Sequence, residues 1–189
     1  MPISQFELPQ NLPAPQDDGA AQHLTGMKLP PLNLLLTNGK SLDLAQLSKH
    51  LRTVLYIYPM TGRPGVALPD NWDMIPGARG CTPQSCSFRD HHADIQALSA
   101  QVFGLSSQSS SYQREAKERL HLPFELISDE QLELHRHLNL PTFSVEGMTL
   151  YKRLSIVVKD QHIEKVFYPV FPPDKSAEDV IEYLRGAAA

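Results

Sequence analysis

Cysteine is scarce in this chain. The 189 residues hold two, Cys81 and Cys86, and one tryptophan, Trp72. No apolar run approaches the ~20 residues needed to span a bilayer, so a membrane is not expected as a partner. The opening MPISQFELPQNLPAP lacks the basic start and apolar stretch of a signal peptide. Positive charge is not in excess: Lys and Arg number 17 against 21 Asp and Glu, the formal net charge is −4, and no basic stripe appears. Nucleic acid is therefore not an expected partner either. With no export signal, the expected compartment is the cytoplasm. A close cysteine pair there reads as redox-active or metal-binding rather than as a structural staple.

What is present is ordinary globular material. Hydrophobic residues make up 41%, and the length suits one domain, or one domain with a tail. A chain of this size buries roughly 70% of its unfolded surface. Residues 1–28 carry Pro2, Pro9, Pro13 and Pro15 among polar residues, with a turn signal at Asp17-Asp18-Gly19. They read as an N-terminal arm, mobile or wrapped on the surface, before a domain spanning residues 29–189.

The most informative stretch is GARGCTPQSCSFRD, residues 77–90. Thr82 and Pro83 read as an N-cap and the first helical residue, which puts Cys81 at the mouth of a helix running towards residue 100. Free N–H groups and the positive helix end favour an anion there, which lowers a thiol's pKa and makes Cys81 the expected thiolate. Cys86 falls about one turn inside.

Around this helix, strands are predicted at residues 32–37, 54–58, 101–106 and 124–127. The apolar run Val54-Leu55-Tyr56-Ile57-Tyr58 fits a central strand buried on both faces. Asn38-Gly39 is a hairpin turn signal, and Leu42, Leu44 and Leu47 follow as a short strand running into a helical turn. Helices are predicted at 112–120 and, capped by Ser128-Asp129, at 130–138. The serine run 107–111 lacks the glycines and lysine of a phosphate-binding loop and reads as a capping turn. Two strands, 150–159 and 162–168, flank Asp160-Gln161. A last helix is capped by Ser176 with Asp179, shows Ala177, Val180, Ile181 and Leu184 on one face, and stops at Gly186. The pattern is α/β: a mixed central sheet with helices on both faces.

The order Gly80-Cys81-Thr82, Cys86, Phe88-Arg89-Asp90, preceded by Leu55-Tyr56-Ile57-Tyr58-Pro59 and followed by Arg153-Leu154-Ser155, resembles the peroxiredoxins. It is most similar to the Q type, also called bacterioferritin comigratory proteins, and the likeness covers roughly residues 29–185. The resemblance implies a thioredoxin-like fold. It also implies a thiol-dependent peroxidase acting on hydrogen peroxide and organic hydroperoxides. By the same likeness, Cys81 becomes a sulfenic acid, Cys86 condenses with it to a disulfide, and Arg153 is the active-site cation. A thioredoxin-like dithiol is the implied reductant, the expected state is a monomer or weak dimer, and no cofactor is needed. In an intact helix, residues five apart have Cα atoms about 8.6 Å apart, beyond the ~7 Å reach of a disulfide, so the pair can close only if the helix opens.

The chain departs from that pattern in two places. Pro59 and Cys81 are 22 positions apart, where the family has about seven, so residues 61–79 read as an insertion above the site, with Trp72 buried to anchor it. Where the family has a hydroxyl residue three before the reactive cysteine, Ala78 stands, and where it has proline seven before, Met74 stands. Thr61 is the candidate replacement hydroxyl. His91-His92 and His135 with His137 could be imagined to join the cysteines around zinc, but adjacent helical histidines point about 100° apart, a poor chelate, and no metal is expected. A thiol–disulfide oxidoreductase, which usually separates its cysteines by two residues, and a non-catalytic module on the same fold are the alternative readings.

Overall fold

The computed structural model describes residues 7–188. In chain order the strands and α-helices are β1 (Asn33–Leu36), β2 (Ser41–Asp43), α1 (Leu44–Leu47), β3 (Arg52–Ile57), α2 (Cys81–Asp90), α3 (His92–Ala97), β4 (Ala100–Ser106), α4 (Ser110–Leu120), β5 (Leu126–Ser128), α5 (Glu133–Leu138), β6 (Thr142–Val145), β7 (Met148–Tyr151), β8 (Leu154–Lys159), β9 (His162–Phe167) and α6 (Ser176–Ala188). Seven strands form one mixed sheet in the order β2-β1-β5-β4-β3-β8-β9, and β6 and β7 make a separate two-stranded ribbon. β3 runs parallel to β4, and β4 to β5, while β8 is antiparallel to β3.

β3 is apolar from Val54 to Ile57, where both its faces are covered. Leu55 and Ile57 enter one core with Leu105, Ile127 and residues of α1 and α5. Val54, Tyr56 and Tyr58 enter the other, with Phe88, Ile95 and the apolar stripe of α6. Alternation of side chains along a strand assigns neighbours to opposite faces.

Gly104 on β4 makes room for Tyr56. A Cβ there would lie 2.5 Å from the Tyr56 ring and 2.7 Å from Leu126. The space matters to the cysteine helix, since the Tyr56 hydroxyl donates to Ser85 Oγ at 3.2 Å and the ring stacks on Phe88 at 4.5 Å. Gly104→Ala is expected to destabilise the fold by about 2–3 kcal/mol through overpacking. A urea midpoint equal to wild type would rule that out.

Several expected boundaries move. The helix at Cys81 starts two residues earlier than its Thr82 cap implied. Gly80 is the N-cap at φ +108°, and Cys81 is the first helical residue. The helix also ends at Asp90 rather than near residue 100. At His91 the ring Nδ1 donates to the Ser87 carbonyl, the acceptor its own backbone N–H uses. Side-chain competition of this kind interrupts helices, and α3 begins after the break. The strand expected at 150–159 is two strands, β7 and β8, separated by Lys152 and Arg153. Ser176 does not cap α6 with its hydroxyl, which accepts instead from Gln84 Nε2 at 3.2 Å. Gly186 lies within α6 and does not stop it. Asp129 does serve α5, four residues ahead of it, accepting from the N–H groups of Glu133 and Leu134 at 2.8 and 3.0 Å.

Residues 7–28 lie on the domain, and the first six lie outside the described residues. Ala21 and Leu24 are buried in the first core. His23 Nε2 donates to the Leu138 carbonyl at 2.8 Å, and Lys28 forms an isolated bridge with His162. Asp18 accepts from Lys152 at 2.6 Å and from the Tyr168 hydroxyl at 2.8 Å. Those two donors, Lys152 first, hold its carboxyl well below the usual carboxylate range. No helix among the described residues is long and apolar enough to cross a membrane.

Candidate active site

The site lies where the C-terminal end of β3, the start of α2 and the gap between β7 and β8 meet. α2 is fastened at its first turn. At Gly80 a Cβ would lie 2.4 Å from Pro173 Cγ and 2.9 Å from Leu8 Cδ2, so the chain before Cys81 is pressed between the arm and the segment leading into α6. Positive φ and this crowding both demand glycine. Cys81 itself is only 4% exposed. Its Sγ faces the Ala78 carbonyl at 3.7 Å.

Arg153 is brought to the cysteine by the break in the strand. The Lys152 N–H bonds the Pro141 carbonyl at 2.9 Å, one pair beyond the last rung of the β6–β7 ribbon, and the chain turns there towards β8. Arg153 turns inward and is 3% exposed. Its Nη2 donates to Cys81 Sγ at 3.2 Å, to the Ala78 carbonyl at 3.0 Å and to the Arg79 carbonyl at 3.2 Å. Its Nε donates to the Gly77 carbonyl at 3.2 Å, and Nη1 to Gln84 Oε1. Among the described residues it forms no ion pair with a carboxylate. The buried guanidinium is held by neutral acceptors, and the Cys81 sulfur lies within its reach at 3.2 Å.

Gln84 had no signal in the sequence beyond being a polar residue between two cysteines. It is fully buried, and it joins Arg153 to Ser176 of α6, whose hydroxyl also meets Ser155 at 3.2 Å. The guanidinium is thereby fixed from the loop, from α2 and through α6.

Cys86 lies on the same unbroken helix, half-buried, and neither cysteine is in a disulfide. Burial pushes its thiol up, and the Arg89 guanidinium pulls against that rise. Thr61 is buried but held elsewhere. Its N–H and Oγ1 both meet Gln108 Oε1, at 2.9 and 3.2 Å, and Gln108 Nε2 returns a bond to the Thr61 carbonyl at 3.1 Å. Among the described residues no hydrogen bond joins Thr61 to Cys81 or Arg153. The structure thus brings Cys81 and Arg153 together, keeps Cys86 a turn away, and ties Thr61 to the turn before α4.

The segment 61–79 docks on the β6–β7 ribbon. Trp72 is buried with Ala78 and Leu150, its ring 6.2 Å from Phe143, and the Asp70 N–H bonds Glu146 Oε1 at 2.8 Å. The far end of the segment supplies the three carbonyls that grip Arg153. A cleft of 210 Å³ opens beside Arg153, walled by Pro15 and Gln16 of the arm, Ile75, Phe143 and Tyr168 among others.

The redoxin family profile matches residues 24–181. A chloroplastic peroxiredoxin Q of Gentiana triflora is 25% identical over 184 residues, covering 95% of this chain and 77% of its own. Among solved structures, peroxidoxin BcpB of Mycobacterium tuberculosis superposes with a TM-score of 0.70 at 23% identity, over 86% of this chain and 97% of that one. A bacterioferritin comigratory protein of Xanthomonas campestris, studied for alkyl peroxide reduction, gives 0.67 at 18%, over 84% and 92%. The chain belongs to the redoxin family, and its fold is the thioredoxin-like fold of the Q-type peroxiredoxins.

Proposed function

We propose that the chain is a thiol-dependent peroxidase in which Cys81 attacks, Arg153 is the cation and Cys86 resolves. The observation that carries this is the buried guanidinium, without a carboxylate partner, 3.2 Å from Cys81 Sγ. The Cys81 thiolate attacks one peroxide oxygen. An S–O bond forms, the O–O bond breaks, and the second oxygen leaves with a proton as water or an alcohol. A donor fork beside the sulfur stabilises the charge developing on both oxygens. The cleft walled by Ile75 and Phe143 has room for the organic part of a hydroperoxide, in keeping with the alkyl peroxide activity of the Xanthomonas protein. Thr61 is our candidate for the substrate-binding hydroxyl, on exchange of its bond to Gln108.

In the second step the Cys86 thiolate attacks the sulfenic sulfur and hydroxide leaves. An external dithiol, thioredoxin-like on our reading, then reduces the disulfide by exchange. No cofactor enters either step. We further place the protein in the cytoplasm, where thiols stay reduced, as a monomer or weak dimer, although the Gentiana relative is chloroplastic.

The test is peroxide consumption by the purified, pre-reduced protein, first alone and then with a dithiol. One equivalent consumed alone and sustained turnover with the dithiol are expected. Reduction of disulfide substrates without peroxide turnover would favour an oxidoreductase instead.

Oxidation must also open α2. Its Cα atoms at positions 81 and 86 lie about 8.6 Å apart by helix geometry, too far for a disulfide. Backbone amides across residues 80–92 should therefore exchange faster in the disulfide form than in the reduced form. Equal protection in both forms, with the Cys81–Cys86 bond verified by mass, would exclude this opening.

A further inference from the structure

The cleft beside Arg153 is built by segments distant in sequence. Pro15 and Gln16 of the arm form one wall, Ile75 of the 61–79 segment and Phe143 of β6 another, and Tyr168 and Pro169, just past β9, complete it. Its 210 Å³ is far beyond the ~15 Å³ that seats one water-sized molecule. It is also below the ~300–1,000 Å³ of pockets that take drug-sized ligands. Hydrogen peroxide would leave most of it unfilled, and the size suits a compact organic body.

The arm is held on either side of this wall. On one side Leu8 approaches Gly80, where a Cβ would lie 2.9 Å from its Cδ2. On the other, Asp18 accepts from Lys152 Nζ at 2.6 Å and from the Tyr168 hydroxyl at 2.8 Å. Between them Pro15 lies on Gly77, 3.5 Å from where a Cβ there would stand. The Gly77 carbonyl accepts from Arg153 Nε at 3.2 Å, so the arm wall and the cation share one backbone segment. Both cations on the walls are engaged. Lys152 is paired with Asp18, and Arg153 donates to carbonyls, Gln84 and the Cys81 sulfur. Among the described residues that line the cleft, no cation is left for an anionic substrate.

Resting on the peroxidase reading above, we infer that the arm is a specificity element. Pro15 and Gln16 wall a site for the apolar, uncharged body of a compact organic hydroperoxide, and Asp18 masks Lys152 against hydroperoxides that carry a carboxylate. The chemical step is the one already given. The bond from Cys81 sulfur to the terminal oxygen forms, the O–O bond breaks, and the organic oxygen takes a proton and leaves as the alcohol.

The experiment measures second-order rate constants for oxidation of the pre-reduced protein by hydrogen peroxide, by cumene hydroperoxide, and by cumene hydroperoxide bearing a carboxylate on its ring. The last two are close in shape and differ in charge, and the wild-type protein should favour the uncharged one. Gln16 is exposed, so Gln16→Trp fills the cleft without entering a core. It should lower the ratio of the cumene rate to the hydrogen peroxide rate about tenfold, equivalent to losing about 55 Å² of apolar contact. A general loosening of the site would slow both peroxides and leave the ratio alone. Asp18→Asn keeps an acceptor for Tyr168 but removes the charge facing Lys152. It should raise the rate of the carboxylated peroxide relative to the plain one by about threefold, the scale of a partly exposed ion pair.

A Gln16→Trp ratio within about twofold of wild type overturns the inference. So does a wild-type protein that reacts with hydrogen peroxide but does not favour the uncharged cumene peroxide over the carboxylated one. If Gln16→Trp does not fold, Asp18→Asn decides, and wild-type selectivity between the two cumene peroxides in that variant overturns the inference. Failure of the peroxidase reading is separately visible, because none of the three peroxides then oxidises the wild-type protein.

Discussion

Cys81→Ser is expected to consume no peroxide, while Cys86→Ser consumes one equivalent and stops. The two sulfurs differ in everything the chemistry uses. Cys81 opens α2, with Arg153 Nη2 3.2 Å from its Sγ. Cys86 lies a turn deeper, with its thiol pushed up by burial. A hydroxyl at position 81 is a far weaker nucleophile, and no other thiol stands beside the cation. With Cys81 intact and Cys86 replaced, the first oxygen transfer proceeds and the sulfenic acid has no partner. It should persist as a mass gain of one oxygen atom and advance to the sulfinic acid in excess peroxide. Stoichiometric titration with peroxide reads both outcomes. Equal, complete loss of the first turnover in both variants would reverse or remove the assigned roles.

Arg153→Met should slow the peroxide step by about two to three orders of magnitude, the usual cost of removing one oriented donor from a developing oxyanion. The side chain does two jobs, and they can be separated. It faces the reacting sulfur, and it satisfies the carbonyls of Gly77, Ala78 and Arg79 together with Gln84 Oε1. Methionine leaves those acceptors without a donor, so stability should fall as well. Arg153→Lys keeps the charge but lacks the planar fork, and should fall between wild type and methionine. Second-order rate constants, measured well below each variant's melting temperature, make the comparison. A value for Arg153→Met within about threefold of wild type would show that another cation, such as Arg79 or Arg63, does the work.

The fold class was legible because its signals are local and redundant. Val54 to Tyr58 are a continuous run of strand formers, which fits an interior strand buried on both faces. Asn38-Gly39 marks a turn by its own backbone chemistry. The cysteine helix was legible for the same reason, but its first residue was not. Thr82 and Pro83 make a plausible start, and the choice of Gly80 is enforced by Pro173 and Leu8, far away in sequence. The Lys152–Arg153 break was hidden because apolar residues continue on both sides of it. Glu146-Gly147, the turn between β6 and β7, was the available clue to an extra ribbon. Gln84 gave no sign at all, since a buried glutamine on a helix is distinguished only by what it touches. The burial of Ala21 and Leu24 is likewise a tertiary fact.

The fastening of the first turn of α2 carries a consequence for redox poise. If the Cys81–Cys86 disulfide forms as we propose, contacts that opening of this turn would break, such as Gln84 with Ser176 or Pro173 and Leu8 against Gly80, stabilise the thiol form relative to it. Each ~1.4 kcal/mol of such preference raises the two-electron reduction potential by about 30 mV. The disulfide is thereby made a stronger oxidant, and easier for a modest dithiol to reduce, by residues that never touch sulfur. On that reading the potential of the couple is set partly by Leu8 of the arm and by Pro173, and substitutions there that loosen the turn should lower it.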